Sequence, residues 1–245
     1  MNWLIIILGV VVVFLCYYIY RIYTAAPSLM SNTYLGAITD KNVPQTIAPN
    51  SITTPYSAKY TIGFWMYINT FSAEIGEFLY YGVKPATGTA KKICTFTMDD
   101  TTPTLTTSVK IGTPSGTTMQ DISITDNLPI QSWVYVTVSV SSTYADCYLN
   151  GKLVVSQQLN SQSTSIDPTS LSSSDPRPTF YLVGGPNVDL YITRLMWLPN
   201  PIDPQTAWDY YNQGNGGASS SGSMSTYHLE VDLIKDSDRW TWKLF

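Results

Sequence analysis

The sequence predicts an all-β fold, an antiparallel two-sheet jelly-roll sandwich, with one N-terminal transmembrane helix and one short helix after the last core strand. Three observations predict it. Short runs rich in β-branched and aromatic residues recur at close spacing, punctuated by Gly, Pro, Asn and Asp, as in antiparallel sandwiches. The 245 residues are 44% hydrophobic but only 12% charged, with 15 Gly and 15 Pro, where ordinary soluble domains carry about 25% charged residues. Finally, residues 3–20, WLIIILGVVVVFLCYYIY, form an uncharged run unlike the rest of the chain.

That run is read as a membrane anchor spanning residues 1–23. Eighteen helical residues reach about 27 Å, close to the hydrocarbon thickness of a bilayer. Trp3 and Leu4 open it, Phe14 lies within it, Tyr17 and Tyr20 stand at the far end, and Arg21 closes it. Aromatic residues at both ends match the interfacial belts of spanning helices. A cleaved signal peptide would carry a basic region ahead of the apolar run, and none is present. Arg21 lies on the C-terminal side, so the positive-inside bias favours a cytosol-facing domain. No asparagine stands in an N-x-[ST] glycosylation acceptor, which agrees with that orientation.

Residues 24–58 lack a sustained period and are expected to form an extended stalk, or to wrap the domain. Strands are expected at 60–68, 77–83, 92–98, 103–111, 118–125, 133–141, 144–150, 152–159, 179–183 and 188–198. The strongest is SWVYVTVSV, where Val134, Val136, Val138 and Val140 share a face. A hairpin on Asn150-Gly151 follows, since both residues accept positive φ. A two-residue turn puts Ala145, Cys147, Leu149 and Val154 on the core side, and Tyr144, Asp146, Tyr148, Leu153 and Val155 on the other. Cys94 and Cys147 fall in strands. Two buried free thiols are favoured over a disulfide between them.

Asp203–Gln213 reads as a helix, with Asp203 at the N-cap, Pro204 at the first position and Gly214 after it. The sandwich is placed at 59–214 and a Gly/Ser linker at 215–226. Residues 227–245 follow as a β-hairpin tail in which Leu229, Val231 and Leu233 alternate with acids, and Trp240 and Trp242 alternate before Phe245. Trp is a favoured interface anchor, and an isolated hairpin is marginal in water. The segment either returns to its own sheet and fills the core edge, or docks on a partner, for example by strand addition to a neighbour's sheet; Leu229, Val231, Trp240, Trp242 and Phe245 are the candidate partner-docking residues.

Several of these segments together resemble a known family. Tyr60–Ile68 is similar to the opening strand of concanavalin A-like, laminin-G-type jelly rolls. Trp133–Val140 resembles that family's Trp-plus-alternating-Val strand, and Tyr148–Val154 its Tyr-x-Asn-Gly hairpin. Val188–Leu198 followed by Asp203–Asn212 resembles the closing strand and the helix after it. The resemblance covers roughly residues 56–214 and implies the sandwich fold, with sugar binding or glucanase activity among the family's functions. In overall build, a laminin-G-like domain on one anchor also resembles membrane-associated minor capsid proteins of large icosahedral DNA viruses. In such particles the outer face of an internal membrane corresponds to the cytosolic side.

Chemistry narrows the functions. Glycoside hydrolysis needs two carboxylates placed across the sugar. The glutamates are Glu74, Glu77 and Glu230, and the Glu-x-Asp-x-Glu pattern of family glucanases is missing. The one histidine, His228, borders the linker, so Ser-His or Cys-His catalysis lacks a base. No Cys/His cluster suggests zinc, and no Gly-rich phosphate loop follows a strand. Asp99 and Asp100, beside Thr101 and Thr102, sit where some laminin-G domains hold calcium, and oxygen-rich loops suit that ion. The same pair also suits a turn. Net charge is −4 without basic runs, so nucleic acid is not an expected partner.

The resulting expectation is a non-enzymatic structural protein without a cofactor. It would link a bilayer, through residues 3–23, to a protein shell or assembly, as a minor capsid protein does in the virion. The alternative is a membrane-anchored lectin-like module binding glycans through exposed aromatics such as Tyr80, Tyr81 and Tyr144.

Overall fold

The computed structural model describes residues 3–24, 28–30, 32–38, 40, 43–47, 49–85, 88–171, 173–215, 230–235 and 238–243. Its elements are α1 (Trp3–Thr24), β1 (Thr33–Tyr34), β2 (Gln45–Thr46), β3 (Tyr60–Thr70), β4 (Glu77–Val83), β5 (Lys91–Met98), β6 (Leu105–Thr113), β7 (Gly116–Thr125), β8 (Trp133–Val140), β9 (Tyr144–Leu149), β10 (Lys152–Gln158), β11 (Thr179–Leu182), β12 (Asp189–Leu198), α2 (Pro204–Asn212), β13 (Glu230–Lys235) and β14 (Asp238–Lys243).

Twelve strands form two six-stranded sheets, ordered β1-β12-β3-β8-β9-β10 and β2-β11-β4-β5-β6-β7. Among the described residues every strand pairing is antiparallel, for example Phe64 with Val136 and Cys94 with Val109. The alternation of β8 does what its period demands. Its valines join the buried core, while Trp133, Tyr135, Thr137 and Ser139 face away from it. Edge-on aromatic contacts tie the sheets together: Phe64 meets Phe78 at 6.2 Å and Phe96 at 4.9 Å between ring centroids. Trp197 stacks on both Tyr60 and Tyr81, at 5.2 and 4.3 Å. Its indole N–H donates to the Thr53 carbonyl at 2.9 Å, so the ring's polar edge is satisfied.

Cys94 and Cys147 lie in this core as free thiols. Burial pushes the Cys94 thiol up to about 11 and the Cys147 thiol up to about 12. Both therefore stay protonated and unreactive at neutral pH.

The segment expected as an extended stalk, residues 24–58, takes the wrapping course over its described part. β1 pairs with β12 and β2 with β11, so the segment supplies an edge strand to each sheet. Leu35, Ile47 and Ile52 are buried in the core, and the Leu29 N–H donates to the Leu195 carbonyl at 2.7 Å. The segment's apolar side chains are spaced irregularly because each reaches the core from a turn rather than from a regular element.

One register also departs from expectation. Lys152 faces Leu149 as the Asn-Gly turn requires, but a β-bulge follows, and Val155 rather than Val154 faces Cys147. Val154 is consequently 45% exposed, while Val155 packs on the core. One extra residue in a bulge exchanges the two faces of a strand.

Helix α2 begins as the sequence predicts. The Asp203 side chain accepts from the Thr206 N–H at 3.0 Å, with Pro204 in the first turn. The helix covers the outer face of the first sheet, where Trp65, Tyr135 and Met196 are buried beneath Tyr210 and Tyr211. Arg194 caps its other end by donating to the carbonyls of Gln213 and Gly214 at 3.0 and 2.7 Å. A positive charge at a helix C-terminus is favourable both as a donor and against the helix dipole.

Candidate functional site

Three places carry features that packing alone leaves open: helix α1, the outer face of the first sheet, and the β13–β14 ribbon.

In α1 the described side chains are Trp3 and residues 6–19, and Trp3, Phe14 and Tyr17 are exposed. Leu4, Tyr20 and Arg21 belong to the helix, but their side chains lie outside the described residues. Among the described residues no helix is long and apolar enough to cross a membrane.

In the ribbon, Val231 faces Trp242 and Leu233 faces Trp240. Directly paired residues share a face, so the register gathers all four positions on one side. Glu230 with Lys243, Asp232 with Thr241 and Ile234 with Arg239 occupy the other. Leu229 and Phe245, expected to dock with these tryptophans, lie outside the described residues. Among the described residues the ribbon pairs with neither sheet of the sandwich.

The expected calcium position is a turn. One Asp99 oxygen accepts from the Thr101 and Thr102 N–H groups at 2.9 and 3.0 Å, and from their hydroxyls at 2.6 and 3.2 Å. The Thr101 hydroxyl and the backbone donors hold the Asp99 carboxyl at about 2, well below the ordinary carboxylate range. Among the described residues no group of three or more His, Cys, Asp or Glu gathers around a common point.

Glu74 and Glu77 serve separate contacts. Glu77 pairs with Lys92 across β4 and β5 at 2.7 Å, and Glu74 accepts from the Asn187 amide at 2.9 Å. Of the tyrosines proposed for sugar contacts, Tyr80 and Tyr81 are buried. Tyr80 stacks on Tyr181 at 4.7 Å, with the Lys92 ammonium 5.2 Å from its ring centre. Tyr144 is 46% exposed.

Sequence reading missed a row of aromatics on the outer face of the first sheet. Trp133, Tyr67, Tyr191 and Tyr34 are consecutive cross-strand neighbours on β8, β3, β12 and β1. Their ring centroids are separated by 5.5, 6.3 and 4.6 Å in that order. The three contacts are tilted, edge-on and stacked, with interplanar angles of 47°, 69° and 28°. Gly36 leaves room for the Tyr34 ring, since a Cβ there would sit 2.5 Å from Tyr34 Cζ. Alongside, the Asn69 amide donates to Asp189 at 2.7 Å. Desolvation first, and then the Asp189 carboxylate, raises the Tyr34 phenol above its ordinary range. The available signal was the tyrosine-rich outer positions of β3 and β12, but the row needs their mutual register, which one strand alone does not contain.

The two antiparallel sheets, the family-like hairpin and the helix after the closing strand define a concanavalin A-like, laminin-G-type sandwich. The family model described as the concanavalin A-like lectin/glucanases superfamily matches residues 40–180, and the chain belongs to that family. No curated protein sequence matches the chain significantly. Among solved structures, the binding domain of botulinum neurotoxin DC, determined in complex with rat synaptotagmin II, is 15% identical. That match covers 69% of this chain and 38% of the other, with a TM-score of 0.47. The binding domain of Paraclostridial mosquitocidal protein 1 is 17% identical over 64% of this chain and 38% of the other, with a TM-score of 0.42. A sialidase from Trypanosoma rangeli is 11% identical over 64% of this chain and 23% of the other, with a TM-score of 0.41. The chain thus spans less than half the length of each of these structures.

Proposed function

We propose that the chain is a non-enzymatic, membrane-anchored structural protein that ties a bilayer to a protein shell or assembly. On the resemblance in build, its setting is that of a minor capsid protein in a large icosahedral DNA virus, with the sandwich on the cytosolic, capsid-facing side. One observation carries the reading: a closed sandwich has two apolar features outside it, at opposite ends of the chain. The first is the uncharged run 3–20, read as the anchor. The second is the ribbon face of Val231, Leu233, Trp240 and Trp242, which needs a surface to cover it. The sandwich between them sets spacing. Three of its four sheet edges discourage strand addition, because β1 and β2 have two residues each and β10 carries a bulge, whereas β7 is a ten-residue edge strand. The ribbon is assigned to docking through the face that carries Val231, Leu233, Trp240 and Trp242. Deleting residues 227–245 from the full chain abolishes co-purification with its partners if this reading holds. Unchanged assembly contradicts it.

A second reading, a membrane-anchored lectin-like module, is favoured by one specific feature. The Asn69–Asp189 pair supplies a polar group beside Tyr34 in the aromatic row. A glycan array with the detergent-solubilised full chain separates the two. Specific binding lost on Tyr67→Ala places the sugar-binding reading first.

A further inference from the structure

We infer that the β1/β2 side of the sandwich rests on the lipid surface, so that the bilayer holds the domain by contact as well as by its anchor. The inference builds on the membrane-anchor reading. It is carried by the short stretch between the helix and the first contact with the sandwich. Helix α1 ends at Thr24, and the Leu29 N–H is already bonded to the Leu195 carbonyl at 2.7 Å. Five residue steps reach at most about 18 Å.

The first contact is also firmly fixed. Leu29 and Met30 pack against the core. Tyr34 stacks on Tyr191 at 4.6 Å. Leu35 is fully buried, with its carbonyl lying where a Cβ on Gly184 would fall. Moving the domain beyond that reach of about 18 Å would require breaking all of these contacts together.

The side so tethered suits a lipid interface. Between β1 and β2 the chain exposes Val43, 68% accessible, and Tyr34 at β1 is 38% accessible with its phenol beside Asp189. An aliphatic side chain and an amphipathic ring are what the headgroup region accommodates. The opposite side, β10 of one sheet and β7 of the other, lies five strand spacings away, about 24 Å. Exposed Leu153 and Val154 on β10 then lie on the side farther from the bilayer.

The test uses the full chain carrying Cys16→Ser in lipid nanodiscs with a spin-labelled headgroup lipid. A fluorophore is attached to Val43→Cys in one sample and to Val154→Cys in another. Cys94 and Cys147 stay buried and unlabelled. Strong quenching is expected at position 43 and little at position 154. Inserting a Gly/Ser spacer of about twenty residues after Ala26, about 25 Å in mean reach, should remove the quenching at 43. Equal, weak quenching at both positions, in a chain that resists alkaline extraction, overturns the contact while leaving the anchor intact. Release of the chain by alkali overturns the anchor itself, and the contact with it.

Discussion

Gly151 shows how closely single residues constrain this fold. It has φ +74°, and a Cβ there would fall 2.9 Å from Trp208 Cα and 3.0 Å from Tyr211 Cβ. It completes the Asn-Gly turn and lets α2 lie against the first sheet. Gly151→Ala meets both a strained backbone and a fixed neighbour, and a loss of about 1–3 kcal/mol is expected in denaturant unfolding. Phe64, in edge-on contact with two rings of the facing sheet, should cost about 3–5 kcal/mol as Ala. Asp99 gives a pH signature. Its folded-state value, about 2, is below the unfolded value of about 3.9. Its contribution is therefore complete above about pH 4 and is lost as pH falls through about 2. The Tm difference between wild type and Asp99→Ala should be largest above pH 4 and shrink as the pH approaches 2; a pH-independent difference contradicts the assignment. The turn was visible in the sequence, because Asp followed by Thr commonly makes such local bonds. The tyrosines were not sorted by sequence: Tyr80 and Tyr81 lie on adjacent positions of one strand, and both are covered.

At the scale of elements, the valine alternation of β8, the Asn150-Gly151 hairpin and the Asp203-Pro204 start of α2 were legible because each is a local rule. Three features were not. The bulge in β10 sits within Leu153-Val154-Val155, three apolar residues that fit either register. β1 and β2 are two residues long, too short for any period to show. The aromatic row depends on strands far apart in sequence. The ribbon's alternation was legible, and the register adds that Val231 faces Trp242 and Leu233 faces Trp240. If that face docks on a partner, Trp240→Ala with Trp242→Ala removes partner capture while leaving the Tm of the sandwich unchanged. A lowered Tm together with retained capture assigns the ribbon to the sandwich's own stability instead.

For the whole molecule, the acids at the sheet ends considered for chemistry are engaged in local contacts. Glu77 is held by Lys92, and Asp99 by two threonines. The fold class was readable from the sequence because strand spacing and turn residues repeat along the chain. The functional reading rests on the chain's two ends, where composition rather than pattern is informative: an uncharged run on one side, paired tryptophans on the other. The central claim is that this protein joins a bilayer to another protein. Chemical cross-linking in membranes from the native source, followed by alkaline extraction and mass spectrometry, tests it most directly. The account predicts that the chain stays with the membrane fraction and that Lys235 or Lys243, on the ribbon, is cross-linked to a different protein. Release of the chain by alkali, or cross-links confined to the chain itself, would contradict it.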